Sequence, residues 1–225
     1  MSNSLHSYKE TFERLFTIAE GQGGYFTPKQ AEAAGFSRKN HSYHVQMGNW
    51  IRERRGIYRL AKFSPTERPD LMFWWLWSRN RDDVPQGIYS HETALSIYDL
   101  SDINPAKLQM TVPRSFRRRG APSKLPVLHR ANVHKDDIGR RFGVKVTRPL
   151  KTIADLLITR TVQMDHMQQA VKQAFQRGLI TRTELARNGR VSAAIKKEIE
   201  QLRAHAILPS FYRDPDGRKL LRRMK

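Results

Sequence analysis

The stretch TPKQAEAAGFSRKNHSYHVQMGNWIRERRGIYRL, residues Thr27–Leu60, decides how the N-terminal third of this 225-residue chain folds. Thr27 before Pro28 is a helix start. The hydroxyl caps free backbone N–H groups, and proline at the first helical position gives up a donor that has no partner there anyway. Gln30 stands at the third helical position and completes a capping-box pattern. The alanine-rich helix Pro28–Ala34 is stopped by Gly35. Ser37 reads as a second N-cap and Gly48 as the next stop, so two short helices are joined through a glycine turn, the helix-turn-helix spacing. Trp50 and Ile51 then begin one strand, and Ile57, Tyr58 and Leu60 form another. Gly56 relieves the turn after Arg54-Arg55. A helix-turn-helix followed at once by a basic hairpin is a winged helix.

Upstream, Tyr8, Phe12, Leu15, Phe16 and Ala19 recur at helical spacing and predict one amphipathic face, ended by Gly21 and Gly23-Gly24. Tyr25-Phe26 reads as a short extended link. The helix pair taken alone also fits a structural element with a solvated polar face; the hairpin moves the balance toward duplex DNA. In such a unit the second helix holds the groups that read base edges. Its early exposed positions Arg38, Lys39, Asn40, Ser42 and Tyr43 supply charge, amide and hydroxyl groups suited to phosphates and bases. Thr27, Lys29 and Ser37 at the helix starts and Arg52 in the hairpin extend the candidate DNA-binding set. Arg54 and Arg55 at the wing tip would lie against phosphate or reach into a minor groove.

The charge of the whole chain points the same way. Lys and Arg number 41 against 21 Asp and Glu, a formal +20, at 39% hydrophobic composition. The apolar share is enough to build cores and excludes wholesale disorder. Such an excess repels itself and is usually kept because a polyanion binds it. It is spread along the chain: residues 1–63 carry 10 basic and 5 acidic residues, 64–148 carry 15 and 9, and 149–225 carry 16 and 7. Charge alone does not separate DNA from RNA.

Further blocks bear on kinship. Gly24-Tyr25-Phe26-Thr27-Pro28-Lys29-Gln30-Ala31, Gly35-Phe36-Ser37-Arg38 and Arg55-Gly56-Ile57-Tyr58-Arg59-Leu60 are followed by Ser90-His91-Glu92-Thr93-Ala94-Leu95, Leu100-Ser101-Asp102-Ile103-Asn104-Pro105 and Thr111-Val112-Pro113. Val146-Thr147-Arg148-Pro149-Leu150-Lys151-Thr152-Ile153-Ala154-Asp155-Leu156 and Arg177-Gly178-Leu179-Ile180 complete the series. In order and spacing these blocks resemble the AbiEi family, antitoxins and autorepressors of bacterial type IV toxin–antitoxin systems tied to phage defence. The resemblance runs over roughly residues 8 to 190. It implies an N-terminal winged helix that binds repeats in its own promoter, and a C-terminal region that counteracts a nucleotidyltransferase-like toxin, with or without direct contact. One departure concerns His41 and His44, where the family pattern has apolar residues. These imidazoles are either half-buried and hydrogen-bonded or turned toward phosphate.

Beyond the wing, Asp70–Ser78 is apolar nearly all round and predicts a buried helix. Its tryptophans lack interleaved basic residues, so a core role outweighs a stacking platform for single strands. Ser90 predicts a helix start, and His91 beside Glu92 reads as a cap-adjacent surface pair. Lys107–Val112, Val127–His129 and Gly143–Val146 read as strands, Thr152–Ile158 as a helix begun near Thr147, and residues 163–204 as helical. Arg114, Arg117, Arg118 and Arg119 form the densest basic cluster. They suit a solvated loop, phosphate beside the winged helix, or an acidic groove on a partner protein. Residues 209–225 form a basic tail, either disordered or folding on a partner.

The expected architecture is therefore α+β: an N-terminal winged helix-turn-helix at 1–63, then a mixed α/β domain at 64–208 ending in a helical segment, then the tail. No cysteine removes disulfides and thiolate chemistry. No run of about 20 apolar residues predicts a membrane span, and no signal-like N-terminus is evident, so a cytoplasmic protein is expected. Clustered carboxylates for a metal nuclease are missing, His41 and His44 have metal-ligand spacing but no third ligand nearby, and no phosphate-binding glycine loop occurs, so neither enzyme activity nor a cofactor is expected. A winged-helix regulator without a toxin is the alternative reading.

Overall fold

The computed structural model describes residues 2–64, 66–117 and 126–207. In chain order the helices are α1 (Ser2–Glu20), α2 (Pro28–Ala34), α3 (His41–Gln46), α4 (Pro69–Trp77), α5 (His91–Tyr98), α6 (Pro149–Thr159), α7 (Met164–Gln176), α8 (Arg182–Arg187) and α9 (Ala193–Ile207). The strands are β1 (Tyr25–Phe26), β2 (Trp50–Arg54), β3 (Ile57–Leu60), β4 (Ile88–Tyr89), β5 (Gln109–Val112), β6 (Val127–Arg130), β7 (Ile138–Arg141) and β8 (Val144–Thr147). The fold is α+β, with a winged helix at its N-terminus, a larger sheet after it and helices toward the C-terminus. Two compact units are present: residues 1–89 with 110–146, and residues 90–109 with 147–225. The 1–63 segment lies wholly within the first.

In the first unit, β1, β3 and β2 form a three-stranded antiparallel sheet in that order. The link expected at Tyr25-Phe26 is thus a short strand, pairing Tyr25 with Arg59 and Phe26 with Tyr58. The capping box at Thr27 forms as the sequence predicts: the Gln30 amide donates to the Thr27 hydroxyl at 3.2 Å, and the Thr27 amide donates to Gln30 Oε1 at 2.9 Å. Gly35 ends α2 with φ +112°, a conformation a side chain rarely adopts. The core beneath these elements is Leu15, Ala19, Phe26, Ala31, Ala34, Phe36, Trp50 and Leu60.

The buried face of α1 differs from the expected one. Leu15 and Ala19 point into the core, while Tyr8, Phe12 and Phe16 form an aromatic ridge between 38% and 49% exposed. The helix carries two apolar ridges, and only one can face α2 and the sheet. Helix α4 is buried at Leu71, Met72, Trp75, Leu76 and Trp77, as its composition predicts, so Trp75 and Trp77 serve as core residues. A five-stranded sheet in the order β6-β5-β4-β8-β7 follows, with β4 antiparallel to β5 and parallel to β8. Strand β7 was not expected; it joins β8 through Phe142 and Gly143, both at positive φ, the backbone of a two-residue hairpin turn.

The described part of the second unit is helical. Thr181 and Thr183 are both possible caps by residue type, and it is Thr181 that caps α8, accepting from the Glu184 amide at 3.0 Å. Helix α6 begins at Pro149 after Arg148, and Thr147 supports that start by a 2.7 Å hydroxyl bond to Thr152. Helical spacing gives α7 an inner face of Ala170, Val171, Ala174 and Phe175 and α9 one of Ile195, Ile199 and Leu202; all are buried except Phe175 and Ile195, which are half-buried. Ser90 precedes α5 without capping it, and its hydroxyl meets His91 Nδ1 at 2.9 Å instead. His91 is therefore buried at 6% exposure rather than on the surface. The tail lies outside the described residues.

Candidate nucleic-acid interface

The second helix of the helix-turn-helix starts as a 3-10 turn at Arg38–Asn40 and continues as α3. Ser37 precedes it with extended backbone but makes no side-chain cap bond. A periodic division of labour follows along this segment. His41 and His44, one helical turn apart, are buried at 4% and 5% exposure, and Val45 is half-buried. Arg38, Lys39, Asn40, Ser42 and Tyr43 remain exposed.

Trp50 holds that helix in place. Its ring stacks on His44 at 4.6 Å and meets the edges of Phe26 and Phe36 at 4.9 and 5.1 Å. His41 is tilted against the same ring at 5.3 Å. The two imidazoles thus take the core places of apolar residues, and neither is turned toward solvent. The hydrogen bonds expected for them do not all form: His41 Nε2 and His44 Nδ1 are buried with no partner among the described residues. Burial holds the His44 pKa below the usual imidazole value, with a smaller contribution from the neighbouring His41.

That direction sets a pH dependence. Neutral His44 fits the core and protonated His44 does not, so its contribution is complete above about pH 6.5 and is lost as pH falls from there toward the lowered folded value. We expect the urea midpoint of the parent to drop between about pH 7 and 5. His44→Leu should flatten that decline; an equal decline in both proteins would exclude His44 as its source.

The wing is β2 and β3, joined through Arg55-Gly56, with a register shift between Arg52 and Arg54. Gly56 has φ +78°, and a Cβ there would stand 2.5 Å from the Arg79 guanidinium. That close approach has a purpose visible in the bonds. Arg79 donates to the Gly56 carbonyl at 2.5 Å, to the Leu76 carbonyl at 2.8 Å, and pairs with Asp83 at 2.7 Å. Asp83 accepts in turn from the Thr27 hydroxyl, and Lys29 Nζ reaches the Arg81 carbonyl at 2.6 Å. The loop after α4 is folded on itself by Asn80 Oδ1, which accepts from the amides of Asp82 and Val84 at 2.9 Å each.

These elements enclose a groove of about 1340 Å³ within the first unit. From α2, the 3-10 turn and α3 it takes Lys29, Arg38, Ser42 and Gln46; from the wing, Arg52, Arg54 and Arg55; from later in the chain, Arg79, Arg81 and Arg117. Eight basic side chains line it against two acidic ones, Glu32 and Asp83. Asp83 is neutralised by Arg79, and Glu32 stands 3.9 Å from Arg38. No carboxylate is within ion-pair reach of Arg52, Arg54, Arg55, Arg81 or Arg117 among the described residues. Uncompensated cations concentrated in a concave site favour a polyanion.

The candidate contacts divide accordingly. Lys29, Ser37, Arg38, Lys39, Asn40, Ser42, Tyr43, Arg52, Arg54 and Arg55 are all exposed on the helix-turn-helix and wing. Thr27 is fully buried, its hydroxyl engaged by the cap and Asp83, so it positions α2 instead of presenting a contact. Of the arginine cluster, Arg117 joins the groove. It follows Phe116, buried at 3% and packed on Trp77 at 6.0 Å. Arg114 is exposed but does not line the groove, and Arg118 and Arg119 lie outside the described residues. Arg79 and Arg81 were not singled out by the sequence; Gly56 in the wing and the Asn80 turn were the only local signals. Among the described residues no three His, Asp or Glu side chains gather as metal ligands, and no helix is long and apolar enough to cross a membrane.

Helix-turn-helix, wing and groove together define a winged-helix unit of the DNA-binding kind. Residues 13–61 match the family of transcriptional regulators described as AbiEi antitoxin, and this segment belongs to that family. The fold as a whole is similar to the crystal structure of the RV2827C protein from Mycobacterium tuberculosis, with a TM-score of 0.55 at 10% identity over 88% of this chain and 78% of that one. At that identity the likeness concerns the fold. No curated protein sequence matches the chain.

Proposed function

We propose that this protein is a sequence-specific repressor that binds repeats in its own promoter and acts as the antitoxin of a type IV toxin–antitoxin system, opposing a nucleotidyltransferase-like toxin in the cytoplasm without catalysis of its own. The observation that carries the DNA-binding part is the groove beside α3, lined by basic side chains from helices and wing with its carboxylates already paired. Family membership of residues 13–61 supports the regulator and antitoxin roles. Arg38 and Asn40 stand where base-reading groups belong, and Arg52, Arg54 and Arg55 supply phosphate contacts.

The reading is tested on the full chain by titrating a duplex from its own promoter and a random duplex of equal length. Arg38→Ala or Asn40→Ala should reduce discrimination between the two by about 1–3 kcal/mol. Equal losses on both duplexes would make these residues phosphate contacts instead. The toxin part is tested by asking whether a nucleotidyltransferase-like reading frame adjoins the gene and by co-expressing its product with this chain. Restored growth supports it, and continued arrest with normal promoter binding leaves a regulator without a toxin.

A further inference from the structure

We infer that Arg81 and Arg117 are DNA-backbone contacts of the same groove, so that the phosphate-binding surface extends beyond the helix-turn-helix and wing into the later part of the chain. This rests on the proposed DNA binding and names a part of the surface that neither motif contains. Three observations carry it.

The loop holding Arg81 is fixed to both halves of the winged helix. Arg79 ties it to the wing turn through the Gly56 carbonyl at 2.5 Å, and Lys29 ties the Arg81 carbonyl to the start of α2 at 2.6 Å. The Asn80 turn and the Asp83 bond to Thr27 hold the remaining backbone. Arg79 is thereby a positioning residue. Its guanidinium is used by two carbonyls and a carboxylate, whereas the Arg81 side chain is exposed on the groove.

Arg117 reaches the groove for a separate reason. Phe116 is buried against Trp77, and the Phe116 carbonyl accepts from Arg130 at 2.8 Å. The anchor fixes the backbone next to Arg117, whose side chain remains exposed and whose Nη1 donates only to the neighbouring Arg114 and Phe116 carbonyls at 3.4 and 3.1 Å, so its charge meets no opposite charge there. Neither Arg81 nor Arg117 meets a carboxylate among the described residues. Two more unneutralised cations beside those of the wing raise the groove's self-repulsion, and a phosphodiester strand relieves it.

The experiment uses the full chain and its own promoter duplex over a salt series, comparing the parent with Arg81→Gln/Arg117→Gln, Arg81→Lys/Arg117→Lys and Arg54→Ala/Arg55→Ala. Loss of two phosphate contacts should make the slope of log affinity against log salt shallower by about 1.8 in the glutamine pair. The lysine pair should keep the parental slope, and the preference for promoter over random duplex should be unchanged in both. A parental slope in the glutamine pair, with a reduced slope in the wing pair, overturns the inference and leaves the DNA reading intact. An equal change in the glutamine and lysine pairs also overturns it, because it would mark a structural role. No salt-dependent duplex binding by the parent would overturn both.

Discussion

Trp50→Ala is expected to lower the unfolding free energy of the N-terminal unit by about 4 kcal/mol, within the range for emptying a large aromatic site. Trp50 is 2% exposed and is shared by five aromatic neighbours: Phe26 on β1, Phe36 after the turn, Tyr58 on β3, and His41 and His44 on α3. Its removal leaves the helix that presents Arg38 and Asn40 without the surface it rests on. Urea denaturation followed by far-ultraviolet circular dichroism checks the value, and promoter binding should weaken in parallel. A loss under about 1 kcal/mol, the scale of an ordinary surface change, would mean that α3 is held by something other than this aromatic cluster.

Arg79→Ala carries the second large effect, about 3 kcal/mol. The Arg79 and Asp83 side chains are only 10% and 15% exposed, so removing the cation leaves a carboxylate with little water around it. An exposed pair would contribute less than about 1 kcal/mol. The wing turn and the Leu76 carbonyl lose a donor in the same change. Asp83→Asn in the Arg79→Ala background should recover part of the loss, since the stranded charge is then gone. No recovery would shift the explanation to the lost carbonyl bonds alone. These bonds also matter for a fragment limited to the winged helix expected at residues 1–63. Such a fragment lacks Arg79 and Asp83 and would leave Gly56 and Thr27 without their partners.

Where chemistry was local, the sequence was readable. Thr27 and Gln30 are three residues apart, and their reciprocal bonds follow from that spacing alone. The wing was legible because Trp50 and Ile57–Leu60 bracket a glycine turn between basic residues. The aromatic face of α1 was misread because Tyr8, Phe12 and Phe16 share helical spacing with Leu15 and Ala19, and periodicity cannot choose between adjoining ridges. Strand β7 is not legible in the sequence because Ile138-Gly139-Arg140-Arg141 has no alternation; it is defined by its neighbour β8. The position of Thr27 at a helix start suggests a contact, whereas its burial and its bond to the distant Asp83 enclose it. The groove's later members were out of reach for the same reason. Arg79 and Gly56 are 23 residues apart, and Arg117 depends on a Phe116–Trp77 contact that no local pattern announces.

The excess of positive charge acquires a location in this geometry. Part of what lies after residue 63 converges on the winged helix through Arg79, Arg81 and Arg117. The central claim, that this groove binds duplex DNA from the protein's own promoter, is tested most directly by the salt dependence of that binding in the parent and in Arg54→Ala/Arg55→Ala. Tight, promoter-preferring binding by the parent is expected, with a steep salt slope that becomes shallower by about 1.8 in the wing variant. Equal affinity for promoter and random duplex, or an unchanged slope without the wing arginines, would contradict it.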